Sequence, residues 1–345
     1  MNRIRKMITV IMGLFLIPAL CISGGMDDKK EIPPVKKKTV VRVPPSSKSV
    51  SSGQSAAKKK VQFLLGQSVG YDNNVYLDSR RHDDAFFQTF FKATYSNPIN
   101  KKTKGILSYE LMSLLYPDSA DANLFKNGIY GGFEDKLTDK VTLYKGIGID
   151  YYDYSAGGSD DFLDYKAKIK LKHALPNKMY HAVRYEFLFR DYSERRIRTI
   201  TGATSTKKRE DTRYTAGYEL GKYFKKDLLK GDFQYYYNDS NETYLKYYTY
   251  DSVLAGPSWT HLFNDKLFSY MSFLREWRDY RTRTISQNAG FKEWDRTYII
   301  TTALYYNLRK DLTLNLNYTY RENWSNEPTS TYSGSLISTG LFYKF

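Results

Sequence analysis

Apolar and polar residues alternate along most of the chain from Val61 onward, in segments of about ten residues or more. The clearest example spans residues 312–320, where Leu312, Leu314 and Leu316 alternate with polar residues such as Thr313 and Asn315. Successive side chains of a β-strand point to opposite faces, so this period of two predicts strands with one apolar and one polar face.

Segment length separates a membrane barrel from a soluble sheet, because a membrane-spanning strand needs about 9–11 residues and a soluble strand averages about 5–6. No run of about 18 apolar residues follows Val61, which argues against a helical membrane domain. The sequence predicts an all-β, antiparallel transmembrane β-barrel of about fourteen strands. These are placed near residues 62–71, 85–96, 105–115, 127–134, 140–152, 163–173, 179–191, 212–222, 229–239, 249–262, 267–280, 295–307, 311–324 and 332–345.

The predicted connections alternate in length. Short ones fall at 136–139, 174–178, 263–266 and 308–310, and longer polar ones at 72–84, 192–211, 240–248 and 281–294. This order is typical of bacterial outer-membrane barrels, which have short periplasmic turns and longer outer loops. Tyrosines near strand ends are expected to form an aromatic girdle at the membrane interface. They are Tyr71, Tyr95, Tyr151, Tyr237, Tyr280 and Tyr320.

The first sixty residues have a different composition from the rest. Basic residues precede an apolar run over 7–22 and then Ser23 and two glycines, which predicts a signal peptide over residues 1–25. An uncleaved inner-membrane anchor is the alternative, although the run is short for a spanning helix. Residues 26–60 are rich in Lys, Pro and Ser and are predicted to be a disordered periplasmic linker, with contact to an anionic surface as a further option. The barrel then occupies residues 61–345.

The net charge of +16 would ordinarily suggest a nucleic-acid partner. Residues 1–25 carry three basic and no acidic side chains, and residues 26–60 carry a net charge of +7. Most of the excess therefore lies outside the predicted barrel, and no nucleic acid is expected to bind. With one Cys and four His, the chain is not expected to form a disulfide scaffold or to hold a metal or another cofactor.

The last segment, residues 333–345, ends in Phe345, with Leu341 and Tyr343 as its alternate neighbours. It resembles the terminal strand of bacterial outer-membrane proteins, whose final aromatic residue is recognised by the barrel-assembly machinery. Residues 70–77 resemble the opening of the β-barrel porin families and, more weakly, the barrel of surface lipoprotein assembly modifiers. The resemblance implies an outer-membrane location, an assembly signal at Leu341, Tyr343 and Phe345, and a periplasmic position for the linker.

If the apolar faces meet lipid, the polar faces line the interior. The residues predicted to line a pore are Lys92, Lys166, Lys168, Lys170, Lys172, Arg184, Arg190, Arg213, Lys230, Arg278, Arg321, Glu110, Glu186 and Glu219, and the same parity turns Asp150, Asp232 and Glu276 inward. A cationic wall favours anions, and the alternative is a wall neutralised by facing acids. Lys145 is the exception, because parity places it on the apolar face. It would be explained by a bulge or by a neighbouring subunit.

The leading functional prediction is a porin-like outer-membrane channel for passive diffusion of small solutes, with anions favoured. The alternatives are an export conduit for polysaccharide or surface lipoprotein, a non-conducting surface or adhesion barrel, and an outer-membrane lipid enzyme. The enzyme alternative would depend on Ser258 and His261, whose offset is wrong for one strand face. No common hydrolase or nucleotide-binding motif is present, so no enzymatic activity is predicted. The acidic segments 82–84 and 159–161 could bind divalent cations but are better explained as solvated loop charge. The oligomeric state is left open.

Overall fold

The computed structural model describes residues 61–154 and 160–345, and the predicted signal peptide and linker lie outside them. The described residues form one sheet with two single-turn 3-10 segments, Ala120–Ala122 and Pro328–Ser330. The strands are β1 (Val61–Asp72), β2 (Asp84–Pro98), β3 (Thr103–Leu115), β4 (Leu124–Lys136), β5 (Val141–Tyr154), β6 (Phe162–Leu175), β7 (Met179–Arg198), β8 (Thr204–Tyr223), β9 (Asp227–Ser240), β10 (Tyr250–Leu262), β11 (Leu267–Ile285), β12 (Asn288–Asn307), β13 (Leu312–Ser325) and β14 (Tyr332–Lys344).

The sheet is a closed barrel in which every strand pairs with its neighbours along the chain and β1 pairs with β14. Leu65 lies opposite Tyr343 at this seam, and the backbones of Phe63 and Phe345 exchange two hydrogen bonds of 2.9 and 3.1 Å. Closure leaves no free strand edge. The predicted fourteen-stranded antiparallel barrel is confirmed. Among the described residues, no helix is long and apolar enough to cross a membrane.

The outer wall is apolar and the inner wall is largely polar, the reverse of a soluble protein. On β13, Leu314, Leu316 and Tyr318 are 38 to 50% exposed, whereas Asn315 and Thr319 on the other face are buried. Soluble monomers rarely expose a continuous apolar surface of this extent. The period of two seen in the sequence therefore corresponds to an apolar exterior and a polar interior.

The two ends of the barrel differ. One end, here the short-turn end, holds the tight connections and the ends of β1 and β14 at Val61 and Lys344. The opposite end is the long-loop end. There β7, β8, β11 and β12 reach 19 or 20 residues, so much of the predicted loops 192–211 and 281–294 is strand, with register shifts after Asp191 and Asp279. The loop prediction was wrong here because most residues of these extensions are polar, and their few apolar residues do not form a regular alternation.

Candidate functional site: the barrel interior

The lysine ladder of β6 faces the interior. Lys166, Lys168, Lys170 and Lys172 follow one another at alternate positions, while Ile169 and Leu171 between them are exposed on the outer wall. Register and burial place the other charged residues predicted to line a pore on the same inner wall. These are Lys92 and Glu110 (β2, β3), Arg184, Glu186 and Arg190 (β7), Arg213 and Glu219 (β8), Lys230 (β9), Arg278 (β11) and Arg321 (β13).

Seven of the inward side chains form a continuous line of alternating charge across β2 to β7, here called the ion-pair chain. Its members are Lys92, Glu110, Lys126, Asp150, Lys166, Asp164 and Arg190. Lys92 Nζ lies 2.8 Å from Glu110 Oε1, and Lys126 Nζ lies 3.6 Å from Glu110 Oε2 and 3.4 Å from Asp150 Oδ1. Glu110 Oε2 and Asp150 Oδ1 are buried and accept no hydrogen bond from any described residue, so Lys126 contacts them as ion-pair partners.

The chain continues from Asp150 towards β7. Lys166 Nζ lies 2.5 Å from Asp150 Oδ2 and 3.7 Å from Asp164 Oδ2, and Arg190 binds Asp164 through two hydrogen bonds of 2.7 and 2.9 Å. Asp150 and Asp164 are fully buried. Buried ions are tolerated only when each is compensated, so these pairs fix the wall. Lys126 and Asp164 were not among the predicted site residues.

An apolar cluster occupies the interior at the long-loop end, on the side of β1 to β7. It includes the inward residues Phe86, Phe90, Met112, Leu114, Leu124, Tyr152, Phe162 and Tyr192, joined by Val75 and Tyr76 from the loop between β1 and β2. The Tyr76 hydroxyl donates to Asp121, which holds this loop over the mouth. The burial of Tyr76 and its bond to Asp121 raise its pKa to about 12. The interior apolar cluster therefore narrows the barrel from the long-loop end.

A second polar group lies on β8 to β11. Arg278 binds Glu276 Oε1 at 2.5 Å and stacks on the ring of Tyr250 at 4.6 Å. Arg213 donates to the Tyr250 hydroxyl at 2.9 Å and lies 4.9 Å from the ring centre of Tyr236. Carboxylate and aromatic partners thus hold the guanidinium groups of Arg278 and Arg213 on the inner wall.

The short-turn half of the interior is less tightly filled. Lys168 and Glu186 face each other 3.8 Å apart, and their side chains are 51% and 33% exposed although both point inward. Nearby, Arg184 binds Asp232 at 2.7 Å. Side chains that are inside a closed barrel and still this exposed must border a water-accessible lumen. The structure thus exposes Lys168 to water inside the barrel and keeps Lys166 in the ion-pair chain.

Lys145 faces outward without a bulge, because the β4 and β5 register runs unbroken past it. Its ammonium binds Asp135 at 2.9 Å and lies 5.7 Å from the ring centre of Phe133. The proposed bulge was therefore wrong. The long side chain of Lys145 reaches the Asp135 carboxylate near the short-turn end, and this contact allows a charged residue on the apolar outer wall.

One other expectation is corrected, and the expected separation of Ser258 from His261 is confirmed. Tyr280 is buried inside the barrel, in edge-to-face contact with Tyr250 at 5.5 Å, and does not belong to the outer aromatic girdle. Ser258 faces inward opposite Ser272, whereas the imidazole of His261 binds Asp227 at 2.7 Å on the outer wall. Ser258 and His261 thus lie on opposite faces and cannot act together, which removes the one candidate hydrolase pair.

The residues of the predicted assembly signal lie at the seam. Leu341 and Tyr343 point outward, and the ring of Phe345 stacks on Phe63 at 5.2 Å and on Tyr343 at 5.3 Å. In the described part of the chain, no group of three or more His, Cys, Asp or Glu side chains is placed to hold a metal ion.

Comparisons with known proteins found only distant structural likenesses. No family model matches the chain, and no curated protein matches it by sequence. Among solved structures, in-vitro folded OmpT, an outer membrane protein of Vibrio cholerae, is similar with a TM-score of 0.46 at 9% identity, over 83% of this chain and 97% of that chain. The P. putida toluene transporter TodX is similar with a TM-score of 0.45 at 11% identity, over 84% of this chain and 90% of that chain. A Pseudomonas aeruginosa FadL homologue is similar with a TM-score of 0.45 at 8% identity, over 82% of this chain and 90% of that chain. These likenesses are too distant to carry an argument about function.

Proposed function

We propose that the barrel spans a bacterial outer membrane, with its short-turn end in the periplasm, and acts as a porin-like channel for passive diffusion of small solutes. The observation that carries the proposal is the exposure of Lys168 and Glu186 on the inner wall, which indicates water inside the barrel. The apolar exterior supports the membrane location. A signal peptide over 1–25 and a periplasmic linker over 26–60 complete the proposal.

The charge of the water-accessible half supports a preference for anions. On β6 to β9, the described inward residues of this half comprise five basic side chains and three acidic ones. They are Lys168, Lys170, Lys172, Arg184 and Lys230 against Glu186, Glu219 and Asp232. A wall with a surplus of fixed positive charge attracts anions and repels cations. Lys166 contributes little to this preference because its charge is compensated by Asp150 and Asp164.

The size of the solute is limited by the interior apolar cluster. Tyr76 and Val75 fold into the mouth and pack on aromatic side chains of the inner wall. This arrangement supports passage of small solutes and gives no support to an export conduit for a polymer. The separation of Ser258 from His261 supports the expectation that the barrel is not a lipid hydrolase.

Conductance of the purified barrel in planar bilayers, under a KCl gradient, tests both parts of the proposal. We expect discrete channels whose reversal potential shows anion preference, and a shift towards cations in Lys168→Glu. Lys145→Gln is the matched control because Lys145 lies on the outer wall and should leave the reversal potential unchanged. If folded barrels formed no channels in the bilayer, the proposal of a channel would be overturned. Cation preference of the unmodified protein would overturn the anion preference alone.

A further inference from the structure

Three of the four tryptophans mark one level of the outer wall, towards the long-loop end. Trp277 lies on β11, Trp294 on β12 and Trp324 on β13, and these strands are neighbours. All three point outward, at positions between those of buried inward residues. Tryptophan concentrates at the boundary between hydrocarbon and headgroups, so this level corresponds to the outer membrane interface.

Arg275 lies one outward position below Trp277, just inside that boundary. Its guanidinium carbon is 4.7 Å from the ring centre of Trp277 and 4.9 Å from that of Tyr298. Its Nε is buried and makes no hydrogen bond within the described structure. Two aromatic rings thus contact the guanidinium, and among the described residues no acceptor binds its terminal nitrogens.

The outer-wall neighbours of Arg275 carry no opposite charge. Ala255 faces it from β10 and Tyr298 from β12, while Trp277 lies above it and Phe273 below it on β11. The acids of this region are engaged elsewhere, since Asp279 binds Arg296 at 2.9 Å and Asp251 binds Arg281 at 2.8 Å. Within residues 61–154 and 160–345, no carboxylate forms an ion pair with Arg275 within 4 Å.

An arginine on the lipid-facing wall costs free energy in hydrocarbon, and the cost falls towards the interface. It is stabilised when an anion from the lipid side accepts its hydrogen bonds, and a planar guanidinium suits a phosphate through two parallel bonds. Arg296, opposite Trp277 on β12, is held by Asp279 and by the backbone carbonyls of Arg278 and Asp295, so its charge is already compensated.

We propose that Arg275, with Trp277 and Tyr298 as aromatic walls, binds the phosphate of a lipid headgroup in the outer leaflet. The inference rests on the proposed membrane orientation and is independent of whether the barrel conducts. Arg275 supplies a bidentate contact, and the two rings hold the guanidinium in place. The site faces lipid and not the lumen, so a soluble phosphate ion is not its ligand.

Native mass spectrometry of the folded barrel in detergent tests this site. The protein is titrated with bis-phosphorylated lipid A, with phosphatidylglycerol and with inorganic phosphate. We expect lipid A to bind, and Arg275→Gln to weaken its binding about tenfold or more, the change expected on losing a charge-assisted bidentate contact. Arg275→Lys keeps the charge but not the planar fork and should bind with intermediate affinity. Arg281→Gln is the matched control, since that outward arginine already binds Asp251.

Equal binding of lipid A to the unmodified protein and to Arg275→Gln would overturn the site, and so would an equal loss in Arg281→Gln, which would indicate general charge attraction. Binding of phosphatidylglycerol in place of lipid A would also overturn the outer-leaflet assignment. Heat-modified migration on gels verifies that each variant is folded. A barrel that fails to insert into vesicles would overturn the membrane location itself, a result distinct from insertion without lipid binding.

Discussion

Gly128 on β4 lies directly opposite Asp150 on β5, and a Cβ atom on Gly128 would stand 2.0 Å from Asp150 Oδ1. The missing side chain leaves room for the Asp150 carboxylate to lie across the backbone of β4. From there Asp150 reaches Lys126 on one side and Lys166 on the other. The ion-pair chain can therefore cross from β3 to β6 only because one inward position on β4 is empty.

Gly128→Ala is expected to lower the free energy of unfolding by about 1–3 kcal/mol, because the new methyl group displaces a carboxylate held by two lysines. Gly131→Ala on the same strand is the control, since a Cβ there meets nothing within 4 Å, and its effect should stay within about 0.5 kcal/mol. Urea unfolding in lipid vesicles, followed by tryptophan fluorescence, measures both. Similar losses in the two variants would contradict the role given to Gly128.

The inward lysines of β6 are expected to differ in role, with Lys166 important for stability and Lys168 for ion selectivity. Lys166→Met leaves Asp150 and Asp164 undercompensated in the interior, and breaking a buried pair costs about 3–5 kcal/mol. Lys168→Met removes an exposed charge with a single contact of 3.8 Å, so stability should hold while anion preference falls. Urea unfolding and bilayer reversal potentials, measured on both variants, give the two readouts. A stable Lys166→Met with altered selectivity would reverse this assignment.

The sequence predicted which face each residue occupies but not which residues meet. A period of two is set within a strand, so the inward position of Lys166 and Arg190 followed from neighbouring apolar residues alone. Their partner Asp164 was missed because contacts across strands depend on register, and register is set by the closed barrel as a whole. The inward turn of Val75 and Tyr76 was missed for a related reason, since loop residues carry no periodic signal.

The strand pairing between β10 and β11 is interrupted at Gly256 and Pro257, which have no cross-strand partner on β11. A Cβ on Gly256 would lie 1.8 Å from the carbonyl oxygen of Phe273, and a backbone atom cannot move aside as a side chain does. Gly256→Ala should therefore reduce the yield of folded barrel. Gly231→Ala, opposite Pro257 on β9, meets open space and is the control. Heat-modified migration on gels gives the folded fraction, and equal yields would refute the close approach.

Tyr76 makes the docking of the first long loop sensitive to alkaline pH. Burial and the bond to Asp121 raise its pKa from 10.0 to about 12, because the folded state favours the neutral phenol. A raised pKa means that the stabilisation is complete below about pH 10 and is lost as the pH rises through about 12. Tyrosinate absorbance at 295 nm, taken as the difference between the unmodified barrel and Tyr76→Phe, should show one group titrating near pH 12. A difference titration near pH 10 would contradict the burial of this hydroxyl.

Tyr76→Phe also tests what the loop does. It keeps the ring in the interior apolar cluster and removes only the bond to Asp121, so the loop should remain packed but open more often. A lost hydrogen bond costs about 0.5–1.5 kcal/mol, which raises the open population of the loop several-fold. Limited proteolysis between Asn73 and Asp83 at neutral pH should therefore proceed several-fold faster than in the unmodified barrel. Tyr95→Phe is the control, because that tyrosine lies on the outer wall at the opposite, short-turn end of β2. Equal cleavage rates in all three proteins would show that the bond to Asp121 does not hold the loop over the mouth.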